Sequence, residues 1–331
     1  MPTRRLIGSP IGLGDLDEAS EHRHVVANRG HGILVPFLRH NPRAEPIVLV
    51  HGINASPADL KTVADHLGHD PRFQVYVYFY EDRRRYVDAS GLDLALALDV
   101  LREQSPTVRI VAHSMGGIVT RCAVNSLIDP GWLADTGRRV RGVANADDIV
   151  LPGIHDFAGL DIVTVDTPWR GFYAPRVNLR NLLVRERSFV DMVSNSAVLT
   201  NIHRVSLPDH VRIHQVEADN RAAGEEADRI IGLCDLGADE LDRLIAYFDD
   251  HSDALGDDRE LRNQLLALRE DVDFAPVDRA IRLDAQRGQL SRARLREHLR
   301  DLVPAIPGTH VSVLDRRELL AVLDRTFGRS R

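Results

Sequence analysis

Arg109-Ile-Val-Ala-His-Ser-Met-Gly-Gly-Ile-Val119 is the stretch on which the reading of this chain turns. A β-branched, apolar run over Val108–Ala112 leads into Ser114, and helical apolar spacing takes over at once through Met115–Leu127. Small residues stand at Ala112, Gly116 and Gly117. A chain that passes from strand to helix across one residue forces that residue into a strained conformation. Neighbours two positions away must then be small, so that strand and helix can approach. The serine hydroxyl stands clear of the sheet above a helix N-terminus, where the peptide dipoles and N–H groups favour negative charge.

Working outward, Ile47–Val50 and Phe73–Tyr80 are further strand candidates, and 57–67 and Leu92–Leu101 have helical spacing. Ser56 and Pro57 supply a cap and a first helical residue for the earlier helix. Asp161–Val165 and Val211–Glu217 continue the strand series. Buried strands alternating with amphipathic helices predict an α/β fold with a mainly parallel sheet covered on both faces. Residues 1–45 read as an irregular, polar N-terminal segment, 46–230 as the core, and 305–331 as its C-terminal part, with a last helix near 316–327. Between them, 231–304 carries Arg, Asp and Glu with leucines at helical spacing over 238–249, 257–270, 277–287 and 291–303. This is expected to be a helical insertion or cap, being longer than an ordinary connection.

Composition removes several classes of function. The 42 basic residues include one lysine, Lys61, which no glycine-rich stretch precedes. A phosphate-binding P-loop is therefore excluded, and a Schiff-base lysine disfavoured. Cys122 and Cys234 form no paired motif, so neither a thiolate metal site nor a disulfide framework is expected. A net charge of −7 argues against a general nucleic-acid partner. No apolar run reaches the roughly 18 residues that span a bilayer, and no apolar signal core follows the N-terminus. The expectation is a cytoplasmic protein with no transmembrane segment that needs neither metal nor cofactor.

Ala112-His-Ser-Met-Gly116, with a strand before and a helix after, resembles the nucleophile elbow of the α/β-hydrolase fold, in its serine lipase and esterase branch. Alanine takes the first small position of the family's Gly-x-Ser-x-Gly, as in some bacterial lipases. The resemblance implies Ser114 as nucleophile. His51-Gly-Ile53 at the end of the first core strand is similar to the family's oxyanion loop, which implies N–H donors at Ile53 and Met115. His51 then braces that loop or lines the substrate pocket. Pro307-Gly-Thr-His310 precedes the last helix, where the family carries its general base, and the implied base is His310. The acid should follow the strand ending at Glu217. Asp228 heads Asp-Arg-Ile-Ile, which is similar to the family's Asp-x-Val-Val, and Asp219 stands at the strand's end as the alternative.

Thr164-Val-Asp-Thr-Pro-Trp-Arg-Gly171 resembles a segment found in deacylases of glycosylphosphatidylinositol anchors and related bacterial lipases, with Trp169 in place of a histidine. Trp169 lines an acyl pocket or packs in the core. The resemblance implies hydrolysis of a carboxylic ester, of a lipid or another small molecule, through a Ser-His-Asp triad and an acyl-enzyme. Thioester hydrolysis and acyl transfer use the same machinery, and a non-catalytic binding member of the fold is the rival from another class. Dehalogenase and epoxide-hydrolase chemistry needs a carboxylate at the elbow, where this chain has serine. Arg83-Arg-Arg85 and the arginines of 291–300 read as solvated faces. His22, His24, His66 and His69 read as surface histidines, and Cys122 as a small core residue.

Overall fold

The computed structural model describes residues 6–53, 55–132, 151, 153–169, 187–192, 196–202, 204–219, 305–307 and 311–328. Among the described residues seven strands form one sheet: β1 Ile33–Pro36, β2 Glu45–Val50, β3 Phe73–Phe79, β4 Thr107–His113, β5 Gly159–Val165, β6 Val211–Asp219 and β7 Ala305–Pro307. Their spatial order is β1-β3-β2-β4-β5-β6-β7. β1 runs antiparallel to β3, and every other neighbouring pair is parallel. The helices are α1 Glu18–Ala27, α2 Lys61–Gly68, α3 Val87–Gln104, α4 Met115–Ile128, α5 Arg187–Met192, α6 Ala197–Ile202 and α7 Arg317–Thr326.

The central strands are buried on both sides, so their side chains divide by alternation between two cores. Val48 and Val50 of β2, Tyr76 and Tyr78 of β3, and Ile110 and Ala112 of β4 join Leu94 and Leu98 of α3 and Ile118 and Cys122 of α4. Ile47 and Leu49, Val75 and Val77, and Val111 face the other way, onto Val63 and Leu67 of α2, Leu319 and Leu323 of α7, and Val25 of α1. Helices thus cover both faces of a mostly parallel sheet. With the sharp turn from β4 into α4, this is the α/β-hydrolase fold. The 57–67 helix begins as a 3-10 turn, Pro57–Leu60, capped by Ser56, whose hydroxyl oxygen accepts from Ala58 N–H at 3.2 Å.

The N-terminal segment differs from its reading as irregular. It holds α1, started by Asp17, whose carboxylate accepts from Ser20 N–H at 2.6 Å, and it holds β1, an edge strand. β1 ends on Pro36, which suits an edge because proline has no N–H to offer a further neighbour. The helical segments expected over 231–304 lie outside the described residues. Among the described residues no helix is long and apolar enough to cross a membrane.

Candidate active site

Ser114 has φ 53° and ψ −129°, left-handed backbone that a side chain tolerates at a cost of about 1–3 kcal/mol. It is held there from both sides. Its N–H donates to Val165 O at the end of β5 (2.9 Å), and its carbonyl accepts from Gly117 N–H (3.0 Å) in the first turn of α4. The small residues around it are a geometric necessity. A methyl group at Gly116 would lie 2.5 Å from the carbonyl oxygens of both Val50 and His51, and one at Gly117 would lie 2.1 Å from Thr167 Oγ1. One at Gly52 would stand 2.6 Å from Ser114 Cβ and 3.1 Å from its Oγ. The ends of β2, β4 and β5 therefore converge on the serine at the C-terminal edge of the sheet.

Gly52 touches Ser114, and Ile53 is the next residue along. Ile53 is half-buried and packs against the core on the α3–α4 side. Met115 opens α4 and is buried. Of the two residues expected to donate to an oxyanion, Ile53 thus follows the glycine that touches Ser114 and Met115 follows Ser114 itself at the start of α4, whose positive N-terminal end lies at the same place.

His51 is wholly buried, and both ring nitrogens are engaged. Nε2 meets Glu21 Oε1 at 2.6 Å and Nδ1 meets Gly52 O at 2.8 Å. Burial by itself would lower the His51 pKa. The Glu21 charge and hydrogen bond, with help from Asp82 and the Gly52 carbonyl, outweigh it and raise the pKa to about 9. Tyr80 completes the arrangement. Its N–H donates to Glu21 Oε1 (3.1 Å), its hydroxyl donates to His51 O (2.7 Å), and its ring stacks on the imidazole at 4.6 Å. Burial also pushes the Tyr80 hydroxyl well above its ordinary pKa, so it stays a donor. Of the two roles considered for His51, this geometry suits the brace.

Trp169 is buried, its indole N–H donating to Gln215 Oε1 at 3.1 Å, and it belongs to the core on the α3–α4 side. Asp166, just past β5, also has a positive φ of 48°. Its N–H donates to Val216 O (2.7 Å), and its carboxylate accepts from Ala218 N–H (3.3 Å), tying the end of β5 to the end of β6. The backbone of Asp219 pairs in register with Pro307 of β7, three positions before His310 in the chain. His310 and Asp228 lie outside the described residues.

Several histidines that spacing alone leaves open have structural partners. His24 Nδ1 bonds Ser20 O at 2.8 Å, His66 Nε2 bonds Asp324 at 2.8 Å, and His69 Nδ1 bonds Asp65 O at 2.7 Å. Among the described residues no group of three or more His, Cys, Asp or Glu is placed to hold a metal ion. Glu21, Tyr80 and Asp166 were given no site role in the reading of the sequence. For Glu21 the only local signal was the Asp17 cap ahead of it, because its partner lies 30 positions downstream.

A family described as "Putative serine esterase (DUF676)" matches residues 43–203, just under half of the chain, including the elbow and the His51–Ile53 loop. A search of curated proteins gives no match. Among solved structures, the mature Bacillus licheniformis lipase BlEst2 is 16% identical, with TM-score 0.37, over 58% of this chain and 72% of the lipase. Aspergillus fumigatus lipase B is 14% identical, with TM-score 0.35, over 53% of this chain and 37% of the lipase. A carboxylesterase structure from Nitrososphaera gargenis is 11% identical, with TM-score 0.37, over 90% of this chain and 94% of the other. At such identities and scores the fold assignment rests on the sheet order and the elbow of this chain itself. Over residues 43–203 the chain is similar to that esterase family, and its sheet and elbow are those of the α/β-hydrolase fold.

Proposed function

We propose that the protein is a serine hydrolase that cleaves a carboxylic ester through an acyl-enzyme. The observation that carries this reading is Ser114, held at φ 53° on a strand-to-helix turn with the Gly52 backbone pressed against its Cβ. A serine kept in a costly conformation, with helix α4 and the Ile53 loop on either side, is arranged for attack on a carbonyl and for charge developing on its oxygen. In this mechanism His310 takes the Ser114 proton as Oγ bonds to the ester carbon. Ile53 and Met115 N–H groups hold the oxyanion. The protonated His310 then gives its proton to the departing alcohol, and a water deprotonated by the same histidine releases the acid.

The triad acid in this proposal is Asp228, from its Asp-Arg-Ile-Ile context. Asp219, whose backbone pairs with Pro307, is the alternative. Changing each to Asn separates them, since the true acid loses about 10⁴-fold in kcat and the other far less. The substrate class is an ester of a lipid or other acylated small molecule. The Thr-Pro-Trp-Arg-Gly segment supports the branch that contains anchor deacylases and bacterial lipases.

Intact mass after treatment with a fluorophosphonate tests the proposal. A single adduct is expected on the wild type, absent in Ser114→Ala and formed far more slowly in His310→Ala. A folded wild type that takes no adduct overturns it and leaves the binding-module reading. A panel of esters and thioesters of increasing chain length then distinguishes ester from thioester hydrolysis.

A further inference from the structure

We propose that Glu21, on α1, is a positioning residue of this site: paired with His51 inside the protein, it fixes the direction of the Ile53 N–H beside Ser114. The inference rests on the serine-hydrolase reading and adds to it a residue outside the stretch 43–203 that matches the esterase family.

The argument begins with the imidazole. Nε2 of His51 faces a carboxylate oxygen at 2.6 Å and Nδ1 faces the Gly52 carbonyl at 2.8 Å, and with Glu21 ionised both of those groups are acceptors only. A neutral imidazole carries one proton, so one nitrogen would confront an acceptor lone pair to lone pair. Both contacts are satisfied only when the ring is doubly protonated. An imidazolium with no solvent contact needs a compensating charge close by, and Glu21 supplies it. The groups facing His51 come from three places: Glu21 on α1, Tyr80 at the end of β3, and Asp82 in the loop that follows. None of them brings a second positive charge.

The second step is the geometry of one peptide bond. Gly52 C=O and Ile53 N–H belong to the same planar trans peptide and point in opposite directions. A charge-assisted hydrogen bond that holds Gly52 O toward His51 therefore aims Ile53 N–H away from it. Gly52 also lies against Ser114, so the peptide that follows it is placed at the serine. Tyr80 closes the circuit, since it donates to Glu21 from its backbone and to His51 O from its hydroxyl. Take away the charge on Glu21 and the proton on Nδ1 is no longer sustained. The Gly52 carbonyl then loses its donor, and the peptide is free to rotate.

The test compares Glu21→Gln with wild type. Glutamine keeps the shape and an oxygen for Tyr80 N–H but not the charge. Expected is a fall in kcat of about 10²-fold, the scale of losing one oxyanion donor, with KM changed less than threefold. The wild-type pH–rate profile is expected to lose activity as pH rises through the His51 titration, about 9, and this limb moves to lower pH in the variant. Nitrogen-15 signals of ring-labelled histidine should show both His51 nitrogens protonated in the wild type at pH 7.5 and a single tautomer in Glu21→Gln. Should the variant not fold, the wild-type ring signals and pH–rate profile decide. A neutral His51 at pH 7.5, or unchanged kcat and pH–rate profile in a folded Glu21→Gln, overturns the inference. If the wild type itself takes no fluorophosphonate, the serine-hydrolase reading falls first, and this inference with it.

Discussion

At Ser114 the backbone cost and the chemistry are separable. Ser114→Gly removes both hydroxyl and Cβ, whereas Ser114→Ala removes the hydroxyl and keeps the Cβ that makes φ 53° costly. The glycine variant is therefore expected to exceed the alanine variant in stability by about 1–2 kcal/mol in urea titrations, both being inactive. Equal midpoints would mean that the turn stores no strain. Gly52 offers the complementary experiment. A methyl there would stand 2.6 Å from Ser114 Cβ, so Gly52→Ala must displace either the serine or the loop. A kcat lower by at least about 10²-fold in a folded protein is expected, as for loss of oxyanion alignment. The serine itself was legible in the sequence because its demands are local: small neighbours, a buried strand before it, a helix after it. His51's partner was not, because nothing near residue 51 announces a carboxylate on a helix thirty positions earlier.

Elements reveal themselves in sequence to the extent that their own residues decide them. Strands β2 to β5 were readable because they are mostly buried and carry apolar, largely β-branched or aromatic runs, and β6 because apolar residues recur along it at Val211, Ile213 and Val216. The same holds for α4, of which residues 115–127 are all buried. Strand β1, four residues long, and β7, three residues long, owe their existence to the neighbours they pair with, and neither was expected. Helix α1 was missed for a related reason: only Ser20, Glu21 and Val25 of it are buried, which is too little for an apolar stripe. The contact of α3 with α4 yields a prediction at this scale. A Cβ on Gly91 would lie 2.5 Å from Cys122 Cβ and 2.9 Å from Val119 O, so the two helices touch through the missing side chain. By propensity alone Gly91→Ala should stabilise α3 by about 1 kcal/mol. Overpacking is expected to reverse that sign, for a net loss of about 1–3 kcal/mol in chemical denaturation. A stabilised variant would show that the interface yields easily.

The N-terminal segment matters to the molecule as a whole because α1 is held to the core by packing and by a buried charge. Val25 packs among residues of β2, β3, α2 and α7, while Glu21 reaches through to His51. That pair makes folding sensitive to pH with a definite sign. The folded pKa of His51 is raised to about 9 from 6.5, so the native state holds a proton that the unfolded chain releases. The stabilisation is fully present below pH 6.5, declines as pH rises through the interval, and is lost above about 9. Urea midpoints measured between pH 6 and 10 should fall across this window in the wild type. In Glu21→Gln, burial without the carboxylate drives the His51 pKa down, and this alkaline loss should vanish, leaving a protein less stable at pH 6 but flatter above it. A wild-type midpoint that does not fall from pH 6 to 10 would mean that the native state holds no extra proton at His51, and that a charged pair does not hold α1.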